Sequence, residues 1–240
     1  MMATLHYIYD PLCGWCYGAA PLVEAARAVP GLSLAFHGGG MLAGSQRRRV
    51  TPQWRDYVMP HDRRIADLTG QPFGAGYFDD LLRDEHAVMD SEPPITAALA
   101  AEAVAGRGLD MIHRQQRAHY EEGKRISDAA VLHELAVEIG LPAEAFGAAF
   151  AQQSGASTQQ HIDASRRLLD DVGGHGFPTF ALEDAHGRVG VVDIRAYLGR
   201  PVEWARELAR LTGASIGASA SASASSAAES GPSCDIDGCA

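Results

Sequence analysis

Leu5-His6-Tyr7-Ile8-Tyr9-Asp10-Pro11-Leu12-Cys13-Gly14-Trp15-Cys16 is the stretch on which the reading of the fold turns. Its first five residues are rich in aromatic and β-branched side chains and are closed by Asp10-Pro11, which predicts a strand. After the two cysteines, Ala19, Leu22, Val23, Ala26 and Val29 recur at helical spacing until Pro30-Gly31, which predicts a helix over residues 17–29. A C-x-x-C turn therefore joins a strand to a helix, the arrangement used in dithiol and disulfide chemistry. Residues i and i+3 share a helical face. The first cysteine stands where unpaired backbone N–H groups and the positive end of the helix dipole favour a thiolate. Cys13 is accordingly expected to be the reactive sulfur.

Working outward, Leu32-Ser33-Leu34-Ala35-Phe36-His37 predicts a second strand, so the chain begins with a βαβ unit holding a parallel pair. Gly38-Gly39-Gly40 is expected to be a flexible exit. It lacks the Lys-Ser/Thr of a phosphate loop. Helical patterns then cover residues 51–68, 77–83, 94–106, 109–122, 128–139, 143–153 and 158–172, with Asp128 suited to an N-cap and Gly140-Leu141-Pro142 a stop and restart. The cluster Arg47-Arg48-Arg49 reads as a solvated helix start. Strand character returns through Gly176-Phe177-Pro178-Thr179-Phe180, a polar turn at 183–187 and a return strand at 189–192. A helix over 195–211 closes the order βαβ, helical block, ββα. Residues 214–233 are nearly all Ala and Ser and read as a disordered linker, leading to a distinct tip, 234–240, with Cys234 and Cys239 in a C-x4-C pair.

Composition narrows the function. The 240 residues are 46% hydrophobic and 21% charged, an ordinary globular balance. Lys+Arg 20 against Asp+Glu 30 gives a net charge of -10, which argues against nucleic acid or an anionic membrane as partner. No apolar run approaches the ~18 residues of a membrane span. Leu5 to Tyr9 already reads as a folded strand, so no secretory signal is visible and a cytoplasmic location is expected. Four cysteines in two tight pairs do not make a disulfide scaffold. C-x-x-C spacing also serves metals, but a structural zinc site needs four ligands and the remaining candidates are scattered, so no metal is expected. A pair of buried inert thiols is the other open reading. Against it, Gly14-Trp15 suits an exposed turn.

An X-Pro bond ahead of a strand is a place for a cis peptide, which frees the preceding backbone to pair with an extended chain. The combination of Cys13-Gly14-Trp15-Cys16, Gly176-Phe177-Pro178-Thr179-Phe180 and the interposed helical block resembles the DsbA-like thioredoxin family, in particular its cytoplasmic FrnE-like branch, over roughly residues 3 to 212. The resemblance implies an α/β thioredoxin-like fold with a large all-helical insertion. Its segments would be 1–42 with 173–213 as the thioredoxin-like domain, and 43–172 as the inserted helical domain. It implies a protein disulfide oxidoreductase or isomerase with Cys13 as nucleophile, Cys16 as resolving thiol and Pro178 as the cis proline facing them. Trp15 and Phe177 join Pro178 as the substrate-binding face.

Such a protein needs no cofactor beyond its redox-active disulfide, with glutathione as a candidate co-substrate. Its partners would be protein or peptide thiols and disulfides, and an electron-donor protein. His37 and His175 are candidates for assisting proton transfer beside the thiols. A 20-residue flexible linker spans about 25 Å r.m.s., so Cys234 and Cys239 are within reach of Cys13 and Cys16 as an auxiliary redox pair. Two other functions fit the same fold: a glutathione-dependent transferase or isomerase with a small-molecule pocket in the helical block, and a chaperone-like module for unfolded peptides. Relatives with Ser at the first position carry the former chemistry, whereas this chain has Cys at both. Gly-Trp replaces the Pro-His of periplasmic DsbA, so that protein's oxidising strength does not carry over.

Overall fold

The computed structural model describes residues 3–214. The pair Cys234/Cys239, and all of the expected linker beyond Ala214, lie outside the described residues. Strand β1 (Ala3–Tyr9) is central in a four-stranded sheet of order β2-β1-β5-β6. It runs parallel to β2 (Leu32–Gly38), Tyr7 opposite Phe36, and antiparallel to β5 (Thr179–Glu183), Tyr7 opposite Phe180; β6 (Val189–Val191) pairs antiparallel with β5. The two-residue alternation of a strand puts Leu5, Tyr7 and Tyr9 in the core. There they meet Phe180, Leu22 of α2 (Ala20–Arg27), and Trp204 and Leu208 of α9 (Pro201–Thr212).

The expected helix over 17–29 is two helices, α1 (Gly14–Gly18) and α2, broken at Ala19. Pro21 explains the break, because it has no N–H to give the preceding turn. The carbonyl of Tyr17 takes a hydrogen bond from Gln71 Nε2 instead, at 3.0 Å. The expected helix over 195–211 divides likewise into a 3-10 turn at Arg195–Tyr197 and α9, with Gly199 at φ 73 ahead of Pro201.

Between β2 and β5 lie α3 (Pro52–Thr69), α4 (Glu92–Ala105), α5 (Gly108–Tyr120), α6 (Ala129–Glu138), α7 (Ala143–Gln153) and α8 (Ala156–Asp171). Thr51 caps α3, its hydroxyl accepting from Trp54 N at 3.1 Å. Asp128 does occupy the N-cap position of α6, but its side chain makes no capping bond. The expected helix at 77–83 is a wide turn at Gly76–Asp80 and a 3-10 turn at Leu81–Arg83. The three arginines do not start a helix. Arg48–Arg49 form strand β3, paired with β4 (Val88–Met89) in a short ribbon, and Val50 N bonds to Ala87 O, which holds the segment extended.

The block has its own core around Phe146, Leu132, Leu135, Met111 and Tyr120. Helix α4 is buried on nearly every side, which its run of alanines permits. The seam between the two cores falls on the C-x-x-C segment. Leu12 and Tyr17 pack with the helical core, whereas Cys13 and Cys16 pack with the sheet core.

Candidate active site

Cys13 is the N-cap of α1. Its Sγ accepts from the backbone N–H of Cys16 at 3.4 Å, and its thiol donates to the carbonyl of Phe177 at 3.3 Å. The Phe177–Pro178 peptide bond is cis and leads straight into β5. Residues 164 positions apart thus share one small surface. Neither sulfur is in a disulfide here. Cys16 has no exposed surface, while Cys13 keeps 5%. Burial pushes the Cys16 thiol well up, and the hydrogen bond and charge of Cys13 push it the same way. Cys16 is therefore held in its protonated form.

Trp15 is half-buried, packed on the sheet core on one side and lining a cavity on the other. Gly14 does more than loosen a turn. A Cβ there would stand 2.5 Å from Asp62 Oδ1, and one on Gly18 would stand 2.7 Å from Ile65 Cγ2. Glycines one turn apart let α3 lie directly on α1.

The glycine triplet is also a packing surface and not merely a flexible exit. A Cβ on Gly39 would stand 2.1 Å from Phe177 Cζ, so the ring beside Cys13 rests on bare backbone. Arg166 of α8 holds that backbone from behind, donating to the carbonyls of Gly39 and Gly40 at 2.8 and 2.6 Å.

Sequence reasoning missed two carboxyls. Asp10 is fully buried between β1 and the cysteines. Its Oδ1 accepts from Leu12 N and Ser91 Oγ, each at 2.9 Å, and its Oδ2 from Met41 N at 2.6 Å. It pins the C-x-x-C approach to the exit of β2 and to the start of α4. Its own N–H donates to Cys16 Sγ at 3.4 Å. Burial pushes its carboxyl up to about 6, against these hydrogen bonds. Asp62 on α3 accepts from the Tyr77 hydroxyl at 2.8 Å, and burial pushes it up to about 7. Asp10 was visible only as a strand stop before Pro11, and Asp62 only as one position within the helical pattern at 51–68.

Cys13, Gly14, Trp15 and Asp62 open on a cavity of about 880 Å³, whose floor includes Tyr77, His119 and Tyr120 and whose mouth includes Arg48 and Arg49. His37 is not among its lining residues. Period-two alternation turns it to the face opposite Phe36, where its Nε2 meets His6 Nδ1 at 3.0 Å, and His6 Nε2 meets Glu183 at 3.1 Å. His175 is exposed in the loop two residues before Phe177.

The arrangement suits sulfur exchange: one sulfur at a helix start facing a cavity, and a second one turn later that only the first can deliver to. Residues 4–199 match the model of the DSBA-like thioredoxin domain. No curated protein matches the chain. Among solved structures, the cytosolic disulfide reductase DsbM from Pseudomonas aeruginosa is 55% identical, with TM-score 0.82 over 87% of this chain and 98% of that one. The same protein solved with GSH gives 53% and 0.81 over the same shares. A Nitrosomonas europaea protein named as a candidate disulfide isomerase is 26% identical, TM-score 0.72, covering 88% and 97%. The chain therefore belongs to the DSBA-like thioredoxin family, and it is a thiol-disulfide oxidoreductase.

Proposed function

We propose that this oxidoreductase works as a reductase of protein and peptide disulfides in a reducing compartment, with glutathione restoring its dithiol. The observation that carries the reading is the inequality of the two sulfurs. Cys13 Sγ lies at the start of α1 against the Phe177 carbonyl, while Cys16 is sealed beneath it. The name of the Pseudomonas relative and its complex with GSH support the direction and the co-substrate.

Cys13 as thiolate attacks a substrate sulfur and forms a mixed disulfide, and the other substrate sulfur leaves as a thiolate. Cys16 then loses its proton and attacks Cys13 Sγ, releasing the second substrate sulfur and closing the Cys13–Cys16 disulfide. Two glutathione thiols reopen it in turn, leaving as oxidised glutathione. Trp15, Phe177 and Pro178 form the face against which an extended substrate segment lies. Cys234 and Cys239 would exchange with the same pair as an auxiliary dithiol.

Insulin reduction driven by glutathione is lost in Cys13→Ser. In Cys16→Ser a mixed disulfide accumulates on Cys13, and mass spectrometry of that species reads whether it carries glutathione, substrate or the tail. Unaltered turnover in Cys13→Ser refutes the reading, and absence of any Cys13-to-tail crosslink refutes the auxiliary pair alone.

A further inference from the structure

The cavity beside Cys13 is far larger than a cysteine in an extended peptide needs. Its volume, about 880 Å³, lies within the range of small-molecule sites. Much of its lining is apolar, with Leu12, Val58, Leu82 and Met89 alongside the rings of Trp54 and Tyr120. Its mouth is cationic in a chain whose net charge is -10.

Elsewhere the arginines are largely neutralised. Arg27, Arg107, Arg114 and Arg125 each meet a carboxylate, and Arg47, next in sequence, meets Asp90 at 3.5 Å. Arg48 and Arg49 do not: like Arg63, Arg64, Arg167 and Arg206, neither is in an ion pair among the described residues, and these two line the cavity. The guanidinium of Arg48 instead lies 4.9 Å from the centre of the Trp54 ring. A guanidinium stacked on an aromatic face keeps its N–H edge free, and that edge matches a carboxylate bidentately. The β3–β4 ribbon and the cap of α3 hold both residues at the cavity.

We infer that the cavity selects disulfides in which one sulfur is borne by an aromatic or otherwise flat apolar group carrying a carboxylate. The ring lies on the Trp54 and Tyr120 side, the carboxylate meets Arg48 and Arg49, and the sulfur reaches Cys13. The inference rests on the disulfide-exchange reading given above and specifies its substrate. Cys13 thiolate bonds to one sulfur of the substrate, whose S–S bond breaks, and the other half leaves with the electron pair as a thiolate. Cys16 gives its proton to water and bonds to Cys13 Sγ, expelling the second half. The protein dithiol is oxidised by two electrons and the substrate is reduced to two thiols.

The test uses the full chain with Cys234→Ser and Cys239→Ser throughout, so that Cys13 and Cys16 are its only thiols. The pre-reduced protein is mixed in a stopped-flow instrument with one of three disulfides: dithiobis-nitrobenzoate (aromatic, anionic), oxidised glutathione (anionic, not aromatic) or bis(hydroxyethyl) disulfide (neutral). The half-saturating concentration should be lowest for the nitrobenzoate disulfide. Adding Arg48→Gln and Arg49→Gln should raise that concentration about tenfold or more, the worth of a charge-assisted hydrogen bond. The ratio of its second-order rate constant to that of the neutral disulfide should fall by the same factor. Arg48→Lys with Arg49→Lys should lose less, since the charge is kept.

An equal loss for all three disulfides would overturn the inference. So would tighter saturation by oxidised glutathione than by the nitrobenzoate disulfide, since the arginines would then serve glutathione itself. If none of the three is reduced, the exchange reading fails and not merely its substrate class.

Discussion

Asp62→Asn should stabilise the protein, and by an amount that depends on pH. Burial holds the Asp62 carboxyl at about 7, against an ordinary 3.8. The folded chain therefore keeps this proton through a range in which the unfolded chain has lost it. The stability arising from that difference is whole below about pH 4 and is lost as pH rises to about 7. Asparagine has the same shape and no proton to lose, and its carbonyl still accepts from the Tyr77 hydroxyl, now at 2.8 Å from Asp62 Oδ2. The gain over wild type should be near zero around pH 4, grow to about pH 7 and stay level above it.

Three pKa units set a ceiling of about 4 kcal/mol. Water entering the open cavity relieves part of that cost, so about 1–3 kcal/mol is expected at pH 8. Urea unfolding of both proteins at intervals between pH 4 and pH 8 measures it. A gain that is the same at every pH, or a loss at pH 8, would refute the claim that a buried carboxyl against Gly14 carries this cost.

Gly39→Ala would press a methyl group into the Phe177 ring, and overpacking of this kind costs about 1–3 kcal/mol. Because the carbonyl of Phe177 touches Cys13 Sγ, the exchange rate with bis(hydroxyethyl) disulfide should fall together with the urea midpoint; a fall in stability with no fall in rate would contradict it. His119 is buried with its pKa lowered to about 4 from 6.5. Its contribution is complete above about pH 6.5 and is lost as pH falls toward 4, the opposite sense to Asp62. His119→Phe keeps the ring contacts with Tyr77 and Tyr120 and should flatten the acid limb of the stability profile, by up to about 3 kcal/mol; an unchanged limb would count against it.

The order of elements was legible because each kind of periodicity is local. Residues 143–153 can be read as a helix from spacing alone, and the structure gives Ala143–Gln153. The breaks were legible in principle too. Pro21 and Pro201 each forbid a helix from continuing unbroken through the turn before them. What escaped was whatever depends on a distant partner. Arg48 and Arg49 become a strand only because Val88 and Met89 come alongside. The closeness of Gly14 to Asp62, and of Gly39 to Phe177, is a property of two segments and is written in neither. His37, offered as a candidate beside the thiols, meets His6 instead, and strand alternation already turns it away from the Phe36 face.

The sealing of Cys16 bears on how the molecule wears out. Oxidants and alkylating agents act on thiolates they can reach. Of the two cysteines among the described residues, Cys16, with no exposed surface and its proton held, offers them nothing, and Cys13 bears the risk, only while reduced. Each turn of the cycle that closes the disulfide shelters the vulnerable sulfur behind the protected one. Damage to this pair should therefore collect at Cys13 Sγ, and faster in molecules left idle in the dithiol form than in molecules at work.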